Sequence, residues 1–321
     1  MNADWQSFLE QHGARVESGE ISDFGDGDAE LRAAASAGVV ADLSHPGVLH
    51  FTGADAEAFL QGQLSCDVKG IDASRATLGA YCTPKGRMLA DFFLLRYEGG
   101  FAMLLARALV APIQKRLRMF VLRSKVEVAD RSDALVALGI AGAATMPENA
   151  FHLPGDRFLL LLSVERAMAS WPTLASTLKP VGSPAWRWLD IRAGIPLIEP
   201  ATQDQLVPQM ANLELIGGVS FSKGCYPGQE IVARSQYLGK VKRRMFRARI
   251  AAGTPKAGDA LYSDDLGAQA SGLVVNVARA PDGEYELLAV THVESHDKST
   301  VRLGAPDGPA LRFEPLPYEV K

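Results

Sequence analysis

Ser222-Lys223-Gly224-Cys225-Tyr226-Pro227-Gly228-Gln229-Glu230-Ile231-Val232-Ala233-Arg234 spells out a turn followed by a short helix. Pro227 and Gly228 suit the turn. Beyond it Glu230 and Arg234 fall at i and i+4, the spacing of an ion pair on one helix face. Cys225 then stands just outside a helix N-terminus with Lys223 two residues before it, and both features favour thiolate over thiol. A cysteine so placed is a nucleophile, a redox centre or a single metal ligand, or else a small residue filling a turn against the core.

Outward from this stretch the texture differs on its two sides. Downstream, from Met245, short apolar runs are separated by Gly253, Gly258, Gly267 and Gly272, and a Pro281-Asp282-Gly283 turn lies between Leu273–Val277 and Tyr285–Val290. That pattern predicts an all-β module, a sandwich or small barrel. Upstream the reading is α/β. Val48–Thr52 suits a strand, and Ala56, Phe59, Leu60 and Leu64 follow at helical spacing, with Cys66 at that helix's end. Leu89–Tyr97 and Phe101–Leu105 predict a hairpin turning at Glu98-Gly99-Gly100, followed by a helix with Leu109, Ile113, Leu117 and Phe120 on its buried face and a strand at Val126–Val128. Residues 17–30, with six acids and three glycines, read as a polar loop. Met168, Trp171, Leu174 and Leu178 read as a helix that Pro172 must break or restart. The expected domains are an α/β body over residues 1–239, made of two interleaved modules, and a β-barrel-like module over 240–321.

The chain has 321 residues, 47% of them apolar and 22% charged, with 33 Lys and Arg against 37 Asp and Glu. These values exclude wholesale disorder, coiled coil and a protein basic throughout, though not a local basic patch. Cys66, Cys82 and Cys225 are too few and too scattered for a disulfide framework or for a cluster held by one chain. The start, Met1-Asn2-Ala3-Asp4-Trp5, does not read as a signal peptide, and no apolar run approaches the ~20 residues of a membrane span. A cytoplasmic protein with reduced thiols and no membrane contact is expected.

Lys223-Gly224-Cys225-Tyr226-Pro227-Gly228-Gln229-Glu230 resembles the signature of the YgfZ family, relatives of the glycine-cleavage T-protein (aminomethyltransferase). Ala193-Gly194-Ile195-Pro196, Val207-Pro208-Gln209-Met210-Ala211-Asn212-Leu213 and Gly217-Gly218-Val219-Ser220-Phe221 resemble stretches that lead into that signature. Thr52-Gly53-Ala54-Asp55, Phe59-Leu60-Gln61-Gly62-Gln63 and Asp67-Val68 resemble the family's opening unit, and Glu314-Pro315-Leu316-Pro317-Tyr318 its tail. The resemblance implies an α+β, multi-module T-protein-like fold with a central folate channel and a C-terminal small β-barrel. It further implies a folate-binding accessory protein that supports iron–sulfur enzymes, including one that methylthiolates tRNA. Tetrahydrofolate, or a polyglutamylated or one-carbon derivative, is the implied cofactor. Cys225 and Lys223 are then the expected catalytic pair, and Trp186, Tyr226, Gln229, Glu230 and Arg234 the expected folate-binding set. A non-catalytic folate scaffold or sensor, and a tetrahydrofolate-dependent aminomethyltransferase, are the alternatives.

Two departures bear on the last of these. Where the T-protein strand looks to end in two adjacent aspartates, this chain has Ala90-Asp91, and strand neighbours point to opposite faces, so Asp91 cannot stand in for the lost carboxylate. Arg192 replaces a glutamate expected to accept hydrogen bonds from the pterin, and an arginine only donates. Trp186, where the family carries an aromatic expected to stack on folate, reads equally as a core residue. Lys240, Lys242, Arg243, Arg244, Arg247, Arg249 and Lys256, with no acid among them, could meet a polyglutamate tail or RNA phosphates, or form a solvated strand face. No RNA-binding module is visible, so direct tRNA binding is unsupported, and the six histidines form no metal motif.

Overall fold

The fold is that of a computed structural model, which describes residues 1–237 and 241–320. Two compact units alternate along the sequence. The first holds Met1–Ala56, Ile71–Ala76 and Phe93–Leu189, and the second Glu57–Gly70, Thr77–Phe92 and Asp190–Lys321. The boundary expected at Gly239 and Lys240 lies outside the described residues.

In the first unit a five-stranded sheet runs in the order Phe151–Leu153, Arg157–Ser163, Leu135–Ala141, Val39–Asp42, Lys179–Val181. Only the last pair is parallel, Val39 opposite Lys179. Leu135–Ala141 is buried along its whole length, as expected of a central strand. Helices Ala3–Gln11 and Val164–Thr177 are part of the same core, where Trp5 meets Trp171 edge-on at 5.7 Å and donates from Nε1 to Asp42 Oδ1 at 2.8 Å. Pro172 sits inside the second helix without ending it. The buried Ala167 and Trp171 hold the helix through the lost amide, so packing overrides the local expectation.

The reading of residues 17–30 as a loop is also corrected. Arg15–Glu17 and Glu20–Asp23 pair across Ser18-Gly19, and Asp26 caps a helix at Gly27–Ser36 whose first turn carries Asp28 and Glu30. Carboxylates that read as loop solvation are there because the helix N-terminus favours them. The hairpin expected at Glu98-Gly99 is present. Tyr97 pairs with Gly100, and Glu98 and Gly99 both take positive φ, 43° and 72°, as a two-residue turn requires. Helix Val110–Val121 and strand Glu127–Asp130 follow; Val110, Ile113 and Leu117 are buried as expected, but Phe120, expected on the same face, is 43% exposed near the helix end.

Strand Met88–Tyr97 passes from the second unit into the first, and its beginning is joined to Thr77–Cys82 by a turn at Thr83–Gly86. The C-terminal part of the second unit is a six-stranded antiparallel sheet, curled into a half-barrel. Its order is Val301–Leu303, Ala260–Ser263, Ala270–Arg279, Tyr285–His292, Arg243–Ile250, Arg312–Glu314. Ala248, Ile250, Leu261, Val274, Leu287 and Ala289 fill it. His296 was expected in β structure and instead lies on a short helix, Val293–Lys298. Among the described residues no helix is long and apolar enough to cross a membrane.

Candidate functional site

The helix expected after Pro227-Gly228 spans Gln229–Tyr237. Gly228 has φ +84°, and a Cβ there would come within 2.4 Å of Thr83 O and 2.7 Å of Gly86 Cα. Gly86 is itself at φ +72° with Ile231 about to touch any Cβ, so two glycine turns are pressed together and neither tolerates a side chain. Val232 N bonds back to Gly228 O, and Gln209 Nε2 donates to Val232 O at 2.6 Å. Upstream, Ser220 N donates to Ser65 O, and the buried Ser65 hydroxyl donates to Gly218 O while accepting from Ala80 N.

Lys223 completes this clamp. Its side chain is buried, with Nζ donating to Leu64 O at 2.5 Å and Cys66 O at 2.8 Å and lying 5.3 Å from the centre of the Tyr226 ring. Burial lowers its pKa from the ordinary lysine value, partly offset by Cys66 and Asp67. The ammonium's hydrogen bonds tie the segment to residues 64–66. Tyr226 is buried, and desolvation followed by the nearby Cys82 and Cys66 thiols raises its hydroxyl. Between these two anchors Cys225 is exposed, next to Gly224, whose missing side chain faces open space. Cys66 and Cys82 are buried, and desolvation pushes each thiol up to about 12. Cys66 is not at a helix end, because the helix closes at Gln61.

Gln229 is half-buried at the start of the helix, and Glu230 and Arg234 are exposed on it, the acid in the first turn and the base in the last, which suits the helix dipole. The second unit thus gathers Lys223, Cys225, Tyr226, Gln229, Glu230 and Arg234 into one segment. Trp186 belongs to the first unit, on helix Ser183–Arg192. It is 3% exposed, with its six-membered ring against Gly139 and the Arg157 guanidinium 4.9 Å from the ring centre. One turn before it, the buried Ser183 hydroxyl has no hydrogen-bond partner among the described residues.

Three further expectations resolve in the second unit. Asp91 is buried, accepts from Ile198 N at 2.7 Å, and is pushed up to about 7 by desolvation. Arg192 reaches Glu286 at 4.0 Å. The basic stripe divides: Arg244 and Arg247 are buried, Arg243 and Arg249 half-buried, and Lys242 and Lys256 exposed. Arg244 pairs with Glu214, Arg247 with Glu286 at 3.0 Å, and Arg249 with Asp282 and Glu284. Lys240 lies outside the described residues. The sequence reading missed the roles of Gln209 and Asn212. Both side chains are wholly buried, and Asn212 Nδ2 donates to Met245 O at 2.7 Å, as Gln209 does to the helix. Two amides in a short stretch beside apolar residues were the available signal.

This arrangement can present one thiol to a partner while the other two are kept inert. In fold the chain is an aminomethyltransferase relative. The crystal structure of the glycine cleavage system aminomethyltransferase T from Bartonella henselae matches it with a TM-score of 0.72 over 99% of this chain and 97% of that one, at 17% identity. Residues 20–146 match the GCVT N-terminal domain family. More narrowly, the chain belongs to the family of the tRNA-modifying protein YgfZ. It is 33% identical over 297 residues to the member from Klebsiella pneumoniae (strain 342), covering 84% of this chain and 90% of that protein. The Sodalis glossinidius (strain morsitans) protein is 34% identical over 295 residues, covering 84% and 89%.

Proposed function

We propose that the chain is a folate-binding accessory protein in tRNA modification, supporting iron–sulfur enzymes such as a tRNA methylthiotransferase, with Cys225 as its working thiol. The observation that carries this reading is the contrast in exposure: of three cysteines, only Cys225 is open to solvent, on a segment immobilised by Lys223, Tyr226 and Gly228. A thiolate is both a good nucleophile and a soft ligand for iron, which suits transient contact with a cluster or an intermediate of its assembly. The relatives' name supplies tRNA modification, and the aminomethyltransferase fold supports folate. On the helix that carries Trp186, the group left for a ligand is the unpartnered Ser183 hydroxyl, which suits a pterin's mixed donors and acceptors.

The test has two arms. In cells lacking the protein, Cys225→Ser should accumulate normally yet fail to restore tRNA methylthiolation. Full restoration would remove the thiol from the mechanism. Separately, saturating tetrahydrofolate should raise the melting temperature of the purified chain, and an unchanged value defeats the folate reading. One observation favours the scaffold alternative: Lys223 spends its hydrogen bonds on backbone carbonyls. Aminomethyl transfer lacks support, since Ala90 is in place of the first carboxylate and Asp91 already holds Ile198 N.

A further inference from the structure

The C-terminal tail of the second unit borders a cavity of about 530 Å³, within the range of small-ligand sites. One wall is a pair of stacked rings, Phe246 and His296, with centroids 3.8 Å apart and planes 8° from parallel. Phe313 stands edge-on to both, at 5.8 Å and 4.6 Å, so the wall is fixed. The tail from Glu314 to Val320 supplies most of the remaining lining.

The hydrogen-bonding character of this lining is one-sided. Pro315 and Pro317 have no N–H to offer. The Tyr318 hydroxyl is spent, donating to Gly194 O at 2.8 Å. His296 Nδ1 is held by Asp297 Oδ1 at 2.7 Å. Three carboxylates line the cavity, Asp297, Glu314 and Glu319, and among the described residues no lysine or arginine does. Arg312 lies 3.4 Å from Glu314 and partly answers it, and Arg247 is turned to Pro315 O and Glu286. Asp297 and Glu319 face solvent with no ion pair to lysine or arginine among the described residues.

A cavity whose lining side chains are rich in acceptors, beside a fixed aromatic pair, selects a planar cation rich in donors. We propose that this cavity binds a guanidinium group, stacked on the Phe246–His296 wall and hydrogen-bonded to the carboxylates of Asp297 and Glu319. A guanidinium combines five donors in a planar fork, a permanent charge and a stacking face, whereas an ammonium offers three donors and the charge without the face. The group can arrive on a small metabolite or on an arginine side chain of a partner protein. The site is independent of the thiol and of folate.

The test uses the full chain with 13C-labelled histidine and follows the His296 ring resonance. One arm titrates agmatine, and another an acetylated tetrapeptide containing a single arginine. Saturable shifts with agmatine are expected, weakened about fivefold or more in Glu319→Gln/Asp297→Asn, since one such contact is worth on the order of 1 kcal/mol. Tighter binding of the peptide than of agmatine assigns the site to a protein side chain, and the reverse to a small metabolite. 1,4-Diaminobutane, which carries charge without the planar face, should shift the resonance more weakly. No shift with either guanidinium probe overturns the proposal, as does an equal response to 1,4-diaminobutane. Both substituted residues are exposed, and Glu319→Gln alone serves as the check should Asp297→Asn loosen His296.

Discussion

Two parts of the second unit treat buried charge in opposite ways. In the C-terminal sheet each buried arginine meets a carboxylate, Arg244 with Glu214 and Arg247 with Glu286, and Arg249 adds Asp282 and Glu284. Away from that sheet, two buried charges are answered chiefly by the backbone. Lys223 bonds two carbonyl oxygens and Asp91 a single amide. Ion pairing favours the charged form, as at Arg249, although at Glu214 desolvation outweighs Arg244 and the carboxyl is raised. Backbone partners compensate less than burial costs, and both groups drift toward neutrality, Lys223 downward and Asp91 up to about 7. The sheet uses charge as a fastener, while Lys223 and Asp91 are held by backbone groups.

The comparison breaks first, and most visibly, at Arg247. Arg247→Met leaves Glu286 buried without its nearest partner, and removing one member of a buried pair costs about 3–5 kcal/mol. Arg247→Met/Glu286→Leu should recover most of that, because Arg249 retains Asp282 and Glu284. Urea unfolding measures both. A single substitution costing under about 1 kcal/mol would mean that the pair is decoration.

Asp91 sharpens the contrast through pH. Its folded carboxyl takes up a proton at about 7, whereas an unfolded aspartate does so near 3.9. Between those values the folded chain holds the extra proton, so this group's contribution is full in acid and is lost as pH rises through 7. Asp91→Asn keeps an oxygen for Ile198 N and removes the penalty. It should raise stability above pH 7 by up to about 4 kcal/mol as an upper bound, and flatten the melting temperature between pH 5 and 8. Parallel wild-type and variant profiles would show that Asp91 is ionised in the fold.

Local chemistry made much of this molecule legible before any coordinates. Glu98-Gly99 declares its turn, the 110–121 helix its apolar stripe, and the glycine-punctuated C-terminal third its strands. The helix after Gly228 could be placed from Pro227, Gly228 and one i, i+4 pair. Partners distant in sequence were not legible. Nothing near Lys223 announces Leu64 and Cys66, some 160 residues away, and nothing near Arg247 announces Glu286. Charge is written in the sequence, but what answers it is decided by the fold. The acids of residues 17–30 were misread for a different, local reason, since a helix N-terminus and a loop attract the same residue types.

Lys223 gives a smaller and more local effect. Lys223→Met keeps the stem but strands two buried carbonyls, at a cost of about 2 kcal/mol. The loss should appear as faster amide exchange across residues 218–232, with the C-terminal sheet unaffected, because the anchor ties only the segment to residues 64–66. Exchange rising equally in the C-terminal sheet would show that the anchor holds the whole unit.

The smallest expected change in stability is at the thiol itself. Cys225 is exposed beside open space at Gly224, so Cys225→Ser removes no packing and should leave the unfolding free energy within about 0.5 kcal/mol of the parent. Its chemistry should differ from that of the other thiols by far more. Cys66 and Cys82 are each 1% exposed, and burial pushes both up to about 12. Either must wait for an opening of the fold before it meets a reagent, and an opening that costs about 3 kcal/mol already slows reaction on the order of 100-fold. Iodoacetamide at neutral pH, followed by peptide mass spectrometry, should therefore place the first label on Cys225 alone, with the other two appearing only in denaturant. The same protocol on Lys223→Met separates exposure from anchoring. If the anchor serves only to hold the segment, labelling of Cys225 keeps its rate and Cys66 gains reactivity as its carbonyl is released. A marked slowing at Cys225 would instead return Lys223 to the role its sequence position suggests, a cation acting on the thiol.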